Sequence, residues 1–301
     1  MKNILILGHT GYIGSSIYTK LKKNLKGVKI VGISSKKINL TNLSQSKKIK
    51  KLINKNTTLI ICAAIKSDLG NSFGTYIKNI RIAENILSNI QDIHLNKIIL
   101  FSSNAVYGVF KKNKLITEKT PLYPDTFYGL AKVVTEKLFE LSLNQHNKNK
   151  LIILRPTSIY GPNEKITPNT PSGHLKKILN NEKISLWGNG EEKRDFLFIE
   201  DLENIVLKLI NKKFTGILNL ATGESVSYAD SIKKISKLLN KKIIFYKKTR
   251  TTKLVDKVYS TRKIKKHFPK YNFQKLNKEL KKILKEINKR NILWINAVFA
   301  K

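Results

Sequence analysis

The chain is expected to form an α/β protein, a doubly wound parallel sheet accompanied by a smaller, discontinuous α+β unit. Three observations predict this. Short, almost wholly apolar runs alternate with amphipathic stretches from the first residues onward, the pattern of strands buried on both faces between crossover helices. A glycine-rich turn, Gly8-His9-Thr10-Gly11-Tyr12-Ile13-Gly14, follows the first of those runs directly. Past Pro156 the alternation loosens and signals of a different spacing take over.

The apolar runs predict strands over 3–7, 28–33, 58–62, 97–102 and 150–154, and the amphipathic stretches predict helices over 12–24, 43–54, 75–90 and 127–145. Five alternations of strand and helix argue for parallel pairing through right-handed crossovers. Pro162, Pro168 and Pro171 mark 162–172 as a long loop, since proline interrupts regular structure. Beyond it, 184–187 and 196–199 read as a strand pair, 216–220 as a strand, and 227–239 and 276–287 as helices. In the last helix Leu276, Leu280, Ile283, Leu284 and Ile287 share a face with the preceding Phe273, so its lysines can point to water. The expected division is a first domain over 1–162 with return segments about 195–222, and a second over 163–194 and 223–301.

Fifty-eight Lys and Arg against 20 Asp and Glu give the 301-residue chain a net charge of +38. Its hydrophobic share of 41% supports a core, which excludes a disordered basic tail. Arginine, the residue of bidentate and stacking contacts to nucleic acid, is confined to Arg81, Arg155, Arg194, Arg250, Arg262 and Arg290. The lysines are scattered among Asn and Ile. They read as a solvated face, so no specific nucleic-acid partner is expected; non-specific attraction to polyanions is the alternative. Cys62 stands alone, which excludes an internal disulfide and a multi-cysteine metal site, suits a reducing compartment and reads as a small core residue. The longest apolar run, 59–65, is far short of the roughly 18 residues of a membrane span. Gly8 cuts short the apolar start 4–7, which is no secretory signal. A soluble, cytoplasmic protein without a metal site or membrane contact is expected.

The glycine turn sits where a strand passes into a helix. Its first glycine permits the tight turn, its second a close approach to a pyrophosphate, and its third close packing of helix on strand. Phosphates would rest on the helix N-terminus, where free N–H groups and the dipole favour anions. A Rossmann-type dinucleotide site is therefore expected, with Gly8, Thr10, Gly11, Tyr12, Ile13 and Gly14 in contact with the cofactor. At the end of the second strand an acid would hold the ribose of NAD. Here stand Ser34, Ser35 and Lys36, hydroxyls and a cation able to accept a 2′-phosphate, so NADP is favoured over NAD.

After the fourth strand comes Ser102-Ser103-Asn104-Ala105-Val106-Tyr107-Gly108, and Tyr128-Gly129-Leu130-Ala131-Lys132 opens a later helix. A Tyr and a Lys four apart share a helix face. The ammonium, with a nicotinamide cation, would favour the phenolate, so that the Tyr can exchange a proton with a sugar hydroxyl or ketone. A serine hydroxyl can hold that oxygen in place.

In this order of motifs the chain resembles the extended short-chain dehydrogenase/reductase family of nucleotide-sugar epimerases, dehydratases and reductases. Further matching segments are Ala63-Ala64-Ile65-Lys66, Asn79 in the next helix, Arg155 to Pro162, Gly188-Asn189-Gly190 with Arg194-Asp195-Phe196, and Leu218 to Gly223. The resemblance implies Ser103, Tyr128 and Lys132 as the catalytic set, with Lys132 also on the nicotinamide ribose. It implies that Ala63, Ala64, Lys66, Asn79 and Pro156 line the cofactor. Asn104 and His174 would meet substrate, and Arg194 would clamp the nucleotide diphosphate. Each has a plainer reading: Asn79 as helix surface, Arg155-Pro156 as a strand end, Arg194 in a surface ion pair with Asp195, His174 as surface.

Departures from the family narrow the reaction. Its dehydratases carry an Asp-Glu pair after the catalytic hydroxyl residue, where this chain has Asn104 and Ala105, and neither can act as a general acid or base. The segment around His174 resembles GDP-fucose synthases, but Ala105 stands where their cysteine would be. The expected activity is an NAD(P)-dependent hydride transfer at C4 of a nucleotide-linked sugar, reduction of a 4-keto group ahead of 4-epimerisation, in a homodimer. A non-catalytic, cofactor-bound or polyanion-binding protein is the alternative from another class.

Overall fold

The structure, a computed structural model, describes residues 2–109, 115–164, 169–243, 245–251 and 254–299. Residues 165–168, including Pro168 of the expected loop, lie outside that set. The chain separates into two compact units: Met1–Phe110, Thr117–Thr157 and Leu202–Leu220 in the first, and Lys111–Ile116, Ser158–Asp201 and Ala221–Lys301 in the second.

In the first unit β1 (Asn3–Leu7) turns at Gly8 into α1 (Tyr12–Asn24) and returns as β2 (Lys29–Ile33). A short α2 (Leu43–Ser46) runs into a 3-10 helix, Lys47–Leu52, before β3 (Thr57–Ile61). There follow α3 (Phe73–Ile90), β4 (Lys97–Phe101), a 3-10 turn Asn104–Tyr107, α4 (Phe127–Ser142), α5 (Gln145–Lys148) and β5 (Leu151–Pro156). In the second unit lie β6 (Ser158–Tyr160), α6 (Pro171–Leu179), β7 (Ile184–Trp187) and β8 (Lys193–Phe198). The chain regains the first unit along α7 (Ile199–Asn211) and β9 (Gly216–Leu220), and ends in the second with β10 (Ser225–Ser227), α8 (Tyr228–Leu239), β11 (Phe245–Lys248), α9 (Arg262–His267) and α10 (Leu276–Phe299).

The first unit's sheet has the order β2-β1-β3-β4-β5-β9, and every pair is parallel. Strands β3 and β4 are buried at every position, as a sheet covered by helices on both faces requires. Leu5, Leu7, Leu59, Ile61, Ile98 and Leu100 meet Ile82, Ile86 and Ile90 of α3 and Phe139 of α4 in one core. The order reverses between β1 and β3, and the carboxyl ends of strands at such a switch point form the crevice where ligands bind.

Lys97, the first residue of β4, is nearly buried. Its ammonium donates to the carbonyls of Leu209, Ile210 (2.8 Å) and Lys212 (2.9 Å) at the end of α7, a position where the helix dipole favours a cation. Burial, with Lys150 and Lys2 nearby, pushes it down to about 8.

The second unit has a three-stranded sheet, β10-β8-β6, and a parallel pair, β11-β7. Tyr160, Phe196 and Phe198 of the sheet pack with Leu175 and Ile178 of α6, Ile232 and Ile235 of α8, and Leu280 and Ile283 of α10.

Three local expectations are corrected. The helix expected over 43–54 is α-helical only through Ser46; the 3-10 spacing that follows stacks Ser46, Ile49 and Leu52 on one inward face. The loop expected over 162–172 gives way to α6, because Thr170 accepts from Gly173 N (3.1 Å) as the cap and Pro171 takes the first helical position. Residues 184–187 and 196–199 do not pair with each other. β7 finds β11, and β8 lies between β6 and β10, strands that three- and four-residue runs barely signal in sequence. By internal contacts, residues 115–116, 158–162, 195–201 and 221–222 group with the second unit.

Candidate active site

At the switch point of the first unit Gly8 adopts φ +82°, a left-handed conformation suited to glycine. A Cβ there would come within 2.7 Å of Ala63 N, and one on Gly14 would collide with the Gly8 carbonyl. Gly11 caps α1 with no side-chain hydrogen bond, so no cap side chain is bonded to the first N–H groups of the helix. These backbone approaches leave a cradle that fits a pyrophosphate. Thr10, Tyr12 and Ile13 line the same turn, with Thr10 exposed and the other two half-buried.

At the end of β2, Ser34 is half-buried and Ser35 and Lys36 are exposed. Ser34 O accepts from Lys37 N (3.1 Å) and Ile38 N (3.0 Å), a turn that leaves its hydroxyl uncommitted to the backbone. Ala63, Ala64 and Ile65 are half-buried and Lys66 exposed. Asn79 is buried on α3, which overturns its reading as helix surface; its Oδ1 accepts from Ile65 N (2.8 Å) and its Nδ2 donates to Ile65 O (3.0 Å). The side chain thereby shapes the loop after β3.

The catalytic candidates come from β4 and α4. Ser103 Oγ accepts from Ala105 N (3.1 Å) and caps the 3-10 turn in which Asn104 lies. Thr126 caps α4 by accepting from Gly129 N (3.0 Å), and Tyr128 N donates to Asn71 Oδ1 (3.2 Å). On α4, Lys132 Nζ lies 5.8 Å from the centre of the Tyr128 ring and donates to Phe101 O at 2.7 Å. A lysine so buried loses much of its hydration. Burial pushes it down to about 8 against the opposing pull of Cys62 and Glu136. Cys62 in turn is pushed up to about 12 by burial, with Lys132 opposing, so its thiol is inert at neutral pH. A cavity of about 20 Å³ lies between Asn79, Ala64 and Lys132. Pro156 is buried at the end of β5.

Gly129 shows how these elements meet. A Cβ on it would sit 2.6 Å from Ala105 O, so only glycine lets the first turn of α4 rest against the segment carrying Ser103. Sequence reasoning passed over Gly129, which stands within the Tyr128-to-Lys132 motif, and over Glu136, one turn beyond it. Glu136 grips the equally buried Arg155 with two hydrogen bonds, Arg155 Nε to Oε1 (3.0 Å) and Nη2 to Oε2 (2.5 Å). Arg155 Nη1 also donates to Tyr107 OH (2.9 Å), which donates to Asn219 Oδ1 (2.7 Å). Arg155 is thus more than a strand end.

In the second unit Arg194 pairs with Glu192 (3.4 Å), donates to Val255 O (2.6 Å) and lies 5.6 Å over the Tyr228 ring. Asp195 is not its partner: it is buried and accepts from Thr222 N (3.0 Å) and Gly223 N (2.7 Å). His174 is not surface either. It lies on α6, 1% exposed, edge-on to Tyr228 at 6.1 Å, and neither ring nitrogen has a hydrogen-bond partner. Burial, and Lys177 after it, lower it to about 4, so the ring is neutral at physiological pH. Among the described residues, no three His, Cys, Asp or Glu side chains cluster as a metal site, and no helix is long and apolar enough to cross a membrane.

Similarity to known proteins agrees with this geometry. A dTDP-D-glucose 4,6-dehydratase of Dictyostelium discoideum is 28% identical over 272 residues, 78% of this chain and 62% of its own length. A dTDP-4-dehydro-6-deoxyglucose reductase of Escherichia coli is 28% identical over 269 residues, 80% of this chain and 83% of its own. The crystal structure of a UDP-glucose 4-epimerase from Thermotoga maritima shares the fold, with a TM-score of 0.83 and 20% identity over 96% of this chain and 99% of that one. Residues 4–221 match the sequence profile of one family. On this match, and on the glycine cradle and Tyr-Lys helix within it, the chain belongs to the NAD dependent epimerase/dehydratase family.

Proposed function

We propose that this protein is an NAD(P)-dependent oxidoreductase of nucleotide-linked sugars, working in the cytoplasm as a homodimer, and that it reduces a 4-keto sugar. The observation that carries the reading is the pairing of Tyr128 with the buried Lys132 on one face of α4, 5.8 Å apart from ring centre to ammonium. Ser103 holds the sugar oxygen, Tyr128 delivers or removes its proton, and Lys132 favours the phenolate form of Tyr128 between turnovers. Gly8, Thr10, Gly11, Tyr12, Ile13 and Gly14 would hold the pyrophosphate of the cofactor, and Ala63, Ala64, Lys66, Lys132 and Pro156 the part nearer the nicotinamide. Asn79 would act on that part through the Ile65 peptide. Bound there, the nicotinamide supplies hydride exchange with the sugar carbon. Ser34, Ser35 and Lys36 in place of an acid favour NADP. In the second unit, Arg194 would take the diphosphate and His174 the sugar. The exposed rings of Phe73 and Phe127, 6.3 Å apart on α3 and α4, support a face shared by two copies.

Asn104 and Ala105 supply no acid or base, which speaks against dehydration. Interconversion of C4 epimers through a transient ketone uses the same three residues and is the second reading. The two separate in one assay: with a 4-keto nucleotide sugar, a reductase consumes one reduced cofactor per product, whereas an epimerase interconverts its sugars without net consumption. A Tyr128→Phe variant that kept full turnover in either direction would sink both.

A further inference from the structure

The buried ion pair behind Lys132 has no part in the reading above, which this inference deepens and on which it rests. Glu136 lies four residues after Lys132, one turn along the same face of α4. It is 1% exposed and Arg155 is 2% exposed. Removing two charges from water is costly, and such a pair is commonly no more stabilising than apolar residues of the same size. Stability alone does not account for such a pair. The two parallel bonds from Arg155 fix the carboxylate in one orientation, and Arg155 is itself fixed through Tyr107 and Asn219.

The groups around Lys132 show what the carboxylate can do there. From β4 the Phe101 carbonyl accepts a hydrogen bond from its ammonium; from the end of β3 comes the Cys62 thiol, uncharged at neutral pH; from α3 comes Asn79, its amide spent on Ile65; from α4 come the Tyr128 ring and Glu136. Glu136 is the one permanent negative charge in this set. Glu136 opposes the burial that lowers Lys132.

We propose that Glu136, oriented by Arg155, is a positioning residue for catalysis: it is the counter-charge that keeps Lys132 an ammonium, and through it readies Tyr128 for proton exchange.

The test is Glu136→Gln, which preserves shape and removes the charge. Burial pushes Lys97 and Lys132 down to about 8, so NMR of the lysine Cε carbons in cofactor-free protein should show both titrating there. A Lys132→Met variant identifies its own signal. In Glu136→Gln the Lys132 midpoint should fall by roughly one pH unit, the low end for loss of an opposite charge, while Lys97 stays as an internal control. The alkaline limb of kcat should fall with it, and Glu136→Asp should restore most of both. A purely structural pair would lower Tm and kcat at all pH values and move neither midpoint nor limb. If Glu136→Gln does not fold, Glu136→Asp should show a smaller shift in the same direction. An unmoved Lys132 midpoint in a folded variant overturns the proposal. Full turnover by Tyr128→Phe would instead overturn the catalytic reading, and the Lys132 midpoint would still report on Glu136.

Discussion

Asn79 holds Ile65 by both of its backbone polar groups, accepting from N–H at 2.8 Å and donating to the carbonyl at 3.0 Å. A helix residue thereby sets the course of the loop that leaves β3 beside the glycine turn. Asn79→Ala should leave both groups unsatisfied, at a cost of about 1–3 kcal/mol. The Kd for the dinucleotide should rise and Tm should fall together. Asn79→Asp, which keeps the acceptor alone, should fall between; an unchanged Kd in both variants would remove Asn79 from the cofactor site.

Gly129 can be tested by the smallest possible change. Gly129→Ala places a methyl group 2.6 Å from Ala105 O, so α4 must retreat from the Ser103 segment. Helix propensity alone predicts stabilisation by about 1 kcal/mol. We expect the reverse: a lower Tm, and a kcat at least tenfold down, because a small misplacement of reacting groups is felt strongly in rate.

Arg194 should act on substrate affinity. Its guanidinium is braced by Glu192, Val255 O and the Tyr228 ring, a planar fork suited to a diphosphate. Arg194→Ala should raise KM for the nucleotide sugar roughly 10- to 100-fold, equivalent to about 1.4–3 kcal/mol, with a smaller change in kcat. Arg194→Lys should recover little of it. A KM unchanged in both would assign Arg194 to bracing the Val255 segment.

Glu279 makes stability depend on pH. It is buried on α10 beside a cavity of about 300 Å³ that Tyr160 also lines. Burial pushes it up from 4.5 to about 8, with Lys282 opposing. The folded state therefore holds a proton that the unfolded state has lost between these values, and stability declines as pH rises through that window. Glu279→Gln should match the wild-type Tm below about 4.5 and exceed it increasingly up to about 8, as thermal unfolding at a series of pH values would record.

The first five strands and the glycine turn were legible because their signals are local: a strand buried on both faces must be apolar throughout, and a turn under a phosphate must lack side chains. Tyr128 and Lys132 were legible from helical spacing. What escaped depends on partners distant in sequence. Glu136 and Arg155 are separated by nineteen positions, and a charged residue in sequence gives no sign of burial. The helix that carries His174 was missed because Pro171 was read as part of a loop when it begins α6. β8 was assigned the wrong partner because β6 and β10 are three residues each, too short for any periodicity to appear.

The path of the chain between its two units has a practical consequence. Each unit is assembled from three separate segments, so no single cleavage or truncation releases either one whole. Expressing half of the chain would yield neither unit intact, and exchanging the second unit between relatives would mean grafting three inserts at once. Change in either unit is then most accessible by point substitution within a fixed framework rather than by recombination of modules.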